Sequence, residues 1–248
     1  MRRNILITGA SAGLGEEMAR QFAAKGHNLA LTARREDRLK ALREELTAAY
    51  PAQTVVIHKL DVNDHDQVFE VFRAAESELG TLDRVVVNAG LGKGAPLGTG
   101  RFDANRETAM TNFVAALAQA EAAMEIFRAR NNGHLVLIAS VSAMRGLPKN
   151  LTTYAASKAA VGSLAEGLRM ELLGKPIKVS AIFPGYIRSE MNDQVANTPL
   201  IVDTVTGVRA MVTAIDQEKG QAFVPPWPWA PLARVMKYAP LALLKRMI

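Results

Sequence analysis

The sequence predicts a doubly wound α/β fold, a parallel sheet with helices on both faces. Short runs that are apolar throughout recur along the 248 residues, helical patterns of ten or more residues separate them, and no composition break interrupts the series. Strands apolar on both sides belong to buried parallel sheets, and right-handed crossovers wind such a series into layers.

Residues 5–8 form the first strand and run into Gly9-Ala10-Ser11-Ala12-Gly13-Leu14-Gly15. A helical pattern through Met18, Ala19, Phe22 and Ala23 follows and ends at Gly26. Residues 29–33 are the second strand, and residues 36–50 an amphipathic helix through Leu39, Leu42 and Leu46. Residues 54–60 are the third strand, ending at Asp61 and Val62. Asp64 caps a helix carrying Val68, Val71 and Phe72 that closes at Gly80. The fourth strand lies within residues 83–88, before Ala89-Gly90. A long helical region over about 103–130 precedes a strand at 134–139. A helix capped by Thr152 or Thr153 comes next, then a strand at 177–183. One domain is expected over residues 1–224, followed by a tail, residues 225–248.

Composition excludes several classes. There is no cysteine for a disulfide or a thiolate, and the four histidines lack ligand spacing, so no metal site is expected. The net charge of +6 comes from basic residues mixed with 24 acidic ones, which does not make a nucleic-acid surface. The first residues run directly into a strand and no uncharged apolar run reaches the length of a membrane span, so a cytoplasmic protein is expected.

The glycine loop sits between a strand and a helix. Gly9 suits a tight turn, Gly13 a close backbone approach and Gly15 close helix–strand packing, and the amides of the helix start would hold a pyrophosphate. The loop also matches the G-x-S-x-G nucleophile elbow around Ser11. A serine hydrolase would then need an acid and a loop histidine downstream, whereas His134 stands at a strand start. After the second strand come Arg34 and Arg35, with no carboxylate in the turn to bind a ribose 2′-hydroxyl, which favours NADP(H) over NAD. Asp61 and Val62 would lie at the adenine ring. Tyr154 and Lys158, four residues apart, should share a helix face near the positive end of its dipole, where lysine and dipole both favour phenolate.

Taken together, Thr8-Gly9-x-x-x-Gly13-x-Gly15, Asn88-Ala89-Gly90, Asn112, Ser140, Tyr154-x-x-x-Lys158 and Pro184-Gly185 resemble the short-chain dehydrogenase/reductase family over residues 3 to about 224. The resemblance implies a Rossmann-type fold, NADP(H) as cofactor, and reduction of a carbonyl or oxidation of an alcohol. Tyr154 would be the general acid or base. Lys158 would hold the nicotinamide ribose and lower the tyrosine pKa, Ser140 would bond the substrate oxygen, and Asn112 would keep a water in a proton relay. The cofactor would contact Gly9, Ser11, Gly13, Leu14 and Gly15, Arg34 and Arg35, Asp61 and Val62, Asn88, Ala89 and Gly90. It would also meet Tyr154, Lys158, Pro184, Gly185, Ile187 and Ser189. A homodimer or homotetramer built on residues 104–130 and 152–173 is likewise implied.

Three departures from the family pattern stand out. Val87 replaces an asparagine, Ser189 replaces a threonine, and the segment from Ser140 to Tyr154 is one residue longer than usual, which makes Ser142 a second candidate serine. A non-catalytic NADP-binding regulator on the same fold is the rival reading, opposed by the intact Ser140, Tyr154 and Lys158. Residues 144–151, 186–199 and the tail are mostly apolar and point to an apolar substrate. The tail carries both tryptophans and no acidic residue, with Leu232, Val235, Met236 and Ala239 as its apolar face. It is expected to cover the substrate cleft or a subunit interface, with a membrane surface as the less favoured alternative.

Overall fold

The computed structural model describes residues 2–190 and 200–247. Seven strands form one parallel sheet: β1 (Asn4–Thr8), β2 (Asn28–Ala33), β3 (Val55–Lys59), β4 (Arg84–Val87), β5 (Gly133–Ile138), β6 (Ile177–Pro184) and β7 (Gln221–Val224). Their order is β3-β2-β1-β4-β5-β6-β7. The winding therefore reverses between β1 and β4, which pair Ile5 with Arg84 and Ile7 with Val86. Ligand crevices of such sheets open at this reversal, beyond the carboxyl ends of the strands.

Alternation along each strand divides the core in two. Leu6, Val85, Leu135 and Val179 face one layer, where α3 (His65–Leu79), α5 (Ala115–Arg130) and α6 (Thr152–Glu171) bring Phe72, Phe127 and Val161. Ile5, Ile7, Val86, Val136 and Ile182 face the other layer. There α1 (Gly13–Ala24), α2 (Glu36–Ala49) and α7 (Thr204–Asp216) bring Phe22, Leu39 and Met211. Successive strand residues point to opposite faces, so a strand apolar throughout is what two helical layers require. Phe22, Phe72 and Phe127 are fully buried, each worth roughly 1.5–3 kcal/mol of hydrophobic transfer.

Local signals behave as their chemistry dictates at several ends. Asp64 accepts from the Gln67 amide at 3.1 Å, and Gly80 closes α3 at φ 77°. Elsewhere the structure corrects the reading. Helix α6 begins at Thr152 itself, with Leu151 as its cap residue and no side-chain cap. A 3-10 turn, Lys149–Leu151, feeds the helix directly, and the Thr152 hydroxyl turns back to donate to Leu147 O and Lys149 O. The helical region over 103–130 is α4 (Phe102–Ala109), a π turn at Met110–Val114, and α5. Helix α7 and the short strand β7 lie beyond the elements expected from the sequence, although Asp203 caps α7 and Val208, Met211, Val212 and Ile215 recur at helical spacing.

The tail forms α8 (Pro226–Tyr238) and α9 (Leu241–Met247). Its buried face runs through Trp229 and Ala233; of the expected apolar face Ala239 is buried, Leu232 and Met236 are half-buried and Val235 is exposed, so that face is rotated in part. Trp229 fixes that rotation, because its indole lies directly on Gly185. Arg145 donates to Lys237 O and Ala239 O, tying the tail to the segment after β5. Among the described residues no helix is long and apolar enough to cross a membrane.

Candidate active site

The glycine loop and the turn after β4 interlock at the reversal of the sheet. Gly9 has φ +66°, and a Cβ there would come within 2.9 Å of the Ala89 Cα. A Cβ on Gly15 would overlap the Gly9 carbonyl oxygen, so neither position accepts a side chain. Thr8 Oγ1 accepts from the amides of Asn88 (3.1 Å) and Ala89 (3.2 Å), and Asn88 Nδ2 donates to Thr8 O at 3.0 Å. Helix α1 starts from Ala12, whose side chain cannot cap it. Its first amides are left for an anion, a donor set that fits a pyrophosphate. Leu14 packs against the adjoining core, and Val87 is buried within β4.

At the end of β2, Arg34 is exposed and has no ion pair among the described residues. Arg35 reaches the loop: its Nε donates to Ser11 Oγ at 3.2 Å and its Nη1 to Glu190 at 3.1 Å. Glu190 also accepts from Arg38 at 2.5 Å. Sequence reading missed Arg38, although it lies three residues beyond Arg35 at the start of α2, a spacing that places two side chains on one helix face. At the end of β3, Asp61 Oδ1 accepts from the Asn63 amide at 3.0 Å, and Val62 is buried.

Ser140 lies two residues beyond β5 and caps the 3-10 turn Val141–Met144, its Oγ accepting from the Ser142 amide at 3.2 Å. Tyr154, in the first turn of α6, stands next to the Ser140 side chain. Between the two candidate serines, the structure brings Ser140 to the tyrosine. Lys158 follows one turn later, buried, with Nζ donating to Ile138 O at 2.9 Å. Asn112 stands in the π turn, a local widening common at functional sites. Its Oδ1 accepts from Leu91 N at 2.7 Å, and its Nδ2 donates to Leu91 O at 2.9 Å and to Ser157 Oγ at 3.3 Å. Gly90 lies between Asn112 and Lys158: a Cβ on it would sit 3.2 Å from Asn112 Oδ1 and 3.4 Å from Lys158 Nζ.

Electrostatics here differ from the expectation of a depressed phenol. Burial raises the Tyr154 pKa, the Ser140 hydrogen bond opposes this, and Tyr186 adds to the rise. Burial also lowers Lys158 from 10.5 to about 8. Desolvation penalises the charged form of both groups, and it outweighs the attraction that spacing on a helix suggested.

Beyond β6, Gly185 donates to Val224 O at 2.9 Å, and Tyr186 meets Trp229 edge-on at 5.3 Å between centroids. Ile187 is buried and bridges to Val202. The Ser189 Cβ lies 3.4 Å from where a Cβ on Gly13 would be, so this segment passes over the glycine loop. Of the expected specificity segment 186–199, residues 191–199 lie outside the described residues.

The nucleophile-elbow reading loses its geometry. His134 is the second residue of β5, at the amino-terminal end of the strands, opposite the glycine loop, and is fully buried. Its Nδ1 accepts from Arg84 Nε at 3.0 Å and its Nε2 bonds Ser180 Oγ at 2.8 Å, leaving nothing to activate Ser11. Among the described residues no group of His, Asp and Glu could hold a metal ion.

Comparison with known proteins agrees with this arrangement. The family model described as short chain dehydrogenase matches residues 3–199. An uncharacterized oxidoreductase of Mycobacterium tuberculosis is 54% identical over 245 residues, covering 99% of this chain and 97% of its own. A short-chain dehydrogenase from Sphingobium yanoikuyae, solved with NADPH, superposes with a TM-score of 0.83 at 26% identity, covering 98% of this chain and 95% of its own. The bulky-bulky ketone specific alcohol dehydrogenase from Comamonas testosteroni superposes with a TM-score of 0.81 at 28% identity, covering 98% and 94%.

Proposed function

The chain belongs to the short chain dehydrogenase family of oxidoreductases, and from that premise we propose that it is an NADP(H)-dependent enzyme interconverting a ketone or aldehyde and an alcohol. The observation that carries this reading is the meeting of Ser140, Tyr154 and Lys158 beside the glycine loop. Gly9, Ser11, Gly13, Leu14 and Gly15 would hold the pyrophosphate, Asp61 and Val62 the adenine side, and Arg34 and Arg35 the 2′-phosphate. Asn88, Ala89, Gly90, Pro184, Gly185, Ile187 and Ser189 would line the remainder. The bound cofactor supplies or accepts the hydride.

The chain's own residues handle the proton and the position. Tyr154 gives its phenolic proton to the carbonyl oxygen in reduction and takes the alcohol proton in oxidation. Ser140, beside Tyr154, holds that oxygen within reach. Lys158 places a positive charge behind the phenol and holds the ribose. Asn112, clamped to both backbone groups of Leu91, keeps one lone pair of Oδ1 for a relay water.

NADP(H) is supported by Arg35 at the loop and by the absence of a carboxylate in the turn after β2. An apolar substrate is supported by the Tyr186–Trp229 wall, with the Comamonas enzyme's bulky ketones as an analogy. A cytoplasmic homodimer or homotetramer completes the proposal. A non-catalytic regulator has no use for Tyr154. The test follows NADPH and NADH oxidation against a panel of apolar ketones and aldehydes, with Tyr154→Phe alongside. NADPH-selective turnover lost in the variant is the expected result; turnover retained at the parent's rate would overturn the assignment of the acid.

A further inference from the structure

Two guanidinium groups converge on one carboxylate at the rim of the glycine loop. Arg35 and Arg38, three residues apart at the start of α2, both donate to Glu190, at 3.1 and 2.5 Å. Arg35 is steadied by Ser11 Oγ, and Ser189 passes over Gly13, so the cluster, although exposed, sits beside the loop. Nearly planar forks of this kind bind carboxylate and phosphate alike, and a dianionic phosphate is the stronger partner.

We propose that Arg35 and Arg38 together form the seat for the cofactor's 2′-phosphate, and that Glu190 fills this seat until the phosphate displaces it. The inference rests on the dinucleotide reading above and adds two residues to it. Arg38 becomes a specificity residue. Glu190 becomes an internal competitor that acts only against a ligand carrying the 2′-phosphate. NADH leaves the pair untouched, whereas NADPH must break it.

Isothermal titration of the full chain with NADPH, NADH and adenosine 2′,5′-bisphosphate tests this in the parent, Glu190→Gln and Arg38→Ala. Exposed ion pairs are individually weak, so Glu190→Gln should tighten NADPH and the bisphosphate by roughly three- to tenfold, with NADH within about twofold. Arg38→Ala should weaken the two phosphorylated ligands by about tenfold or more and spare NADH. An equal shift for NADH and NADPH, no shift, or weaker NADPH binding in Glu190→Gln would sink the competitor. If the parent prefers NADPH and both variants keep its ratio, the cofactor reading stands and this inference falls. If the parent binds neither dinucleotide, the cofactor reading itself fails and takes the seat with it.

Discussion

The ammonium of Lys158 donates to the carbonyl oxygen of Ile138 at 2.9 Å, linking the first turns of α6 to the end of β5 beneath Tyr154. Burial lowers the lysine from 10.5 to about 8, so at neutral pH the folded protein carries a desolvated charge costing about 3 kcal/mol. Between those two values the unfolded chain binds more protons than the folded one, and stability rises with pH. Replacing Lys158 with Met should therefore stabilise the protein at pH 7 by about 2 kcal/mol after roughly 1 kcal/mol for the lost hydrogen bond. The gain should shrink as pH approaches 10. Urea unfolding at pH 7 and 9.5 measures both; a destabilised variant at pH 7 would contradict the argument.

Tyr154→Phe removes the proton and little else. A positioned general acid contributes roughly 10²- to 10⁴-fold, so kcat should fall by that factor while the Kd for NADPH stays within about twofold. Because burial raises the phenol, alcohol oxidation, which needs the deprotonated form, should gain with rising pH. Carbonyl reduction should not share that gain. Rate profiles in both directions would expose any other proton donor.

His134 predicts acid lability remote from the active site. Its pKa is pushed well below 6.5, first by burial and then by Arg84 and Arg2. Below about pH 6.5 the unfolded chain takes up a proton that the folded chain refuses, so stability falls by up to about 1.4 kcal/mol per pH unit for this group. His27 is lowered for the same leading reason and steepens the slope. His134→Asn, which keeps an acceptor for Arg84, should flatten the decline between pH 6.5 and 5. An unchanged slope in thermal melts would assign the lability elsewhere.

Trp229→Ala should unseat the tail. The indole lies on Gly185 and against Tyr186, and truncating a buried aromatic costs about 3–5 kcal/mol. With α8 loosened, KM for apolar ketones should rise more than kcat falls, because Tyr186 loses its support while Ser140, Tyr154 and Lys158 keep theirs. A KM equal to the parent's would remove the tail from the substrate wall.

By itself, the sequence determined the doubly wound sheet, since strands apolar on both faces have one good environment, between two helical layers. It also determined the glycine loop and the Tyr154–Lys158 spacing, which are local. What lay beyond local reading depended on neighbours distant along the chain. Ser140 stands near Tyr154 because the segment that leaves β5 carries it to the start of α6. Arg38 joins the site through Glu190, more than 150 positions away, and Trp229 turns α8 by seating on Gly185. The sign of the Tyr154 shift was likewise decided by the tertiary structure. Spacing on a helix specifies which charges are near, but the desolvation that outweighs them arises only when the whole fold closes over the site.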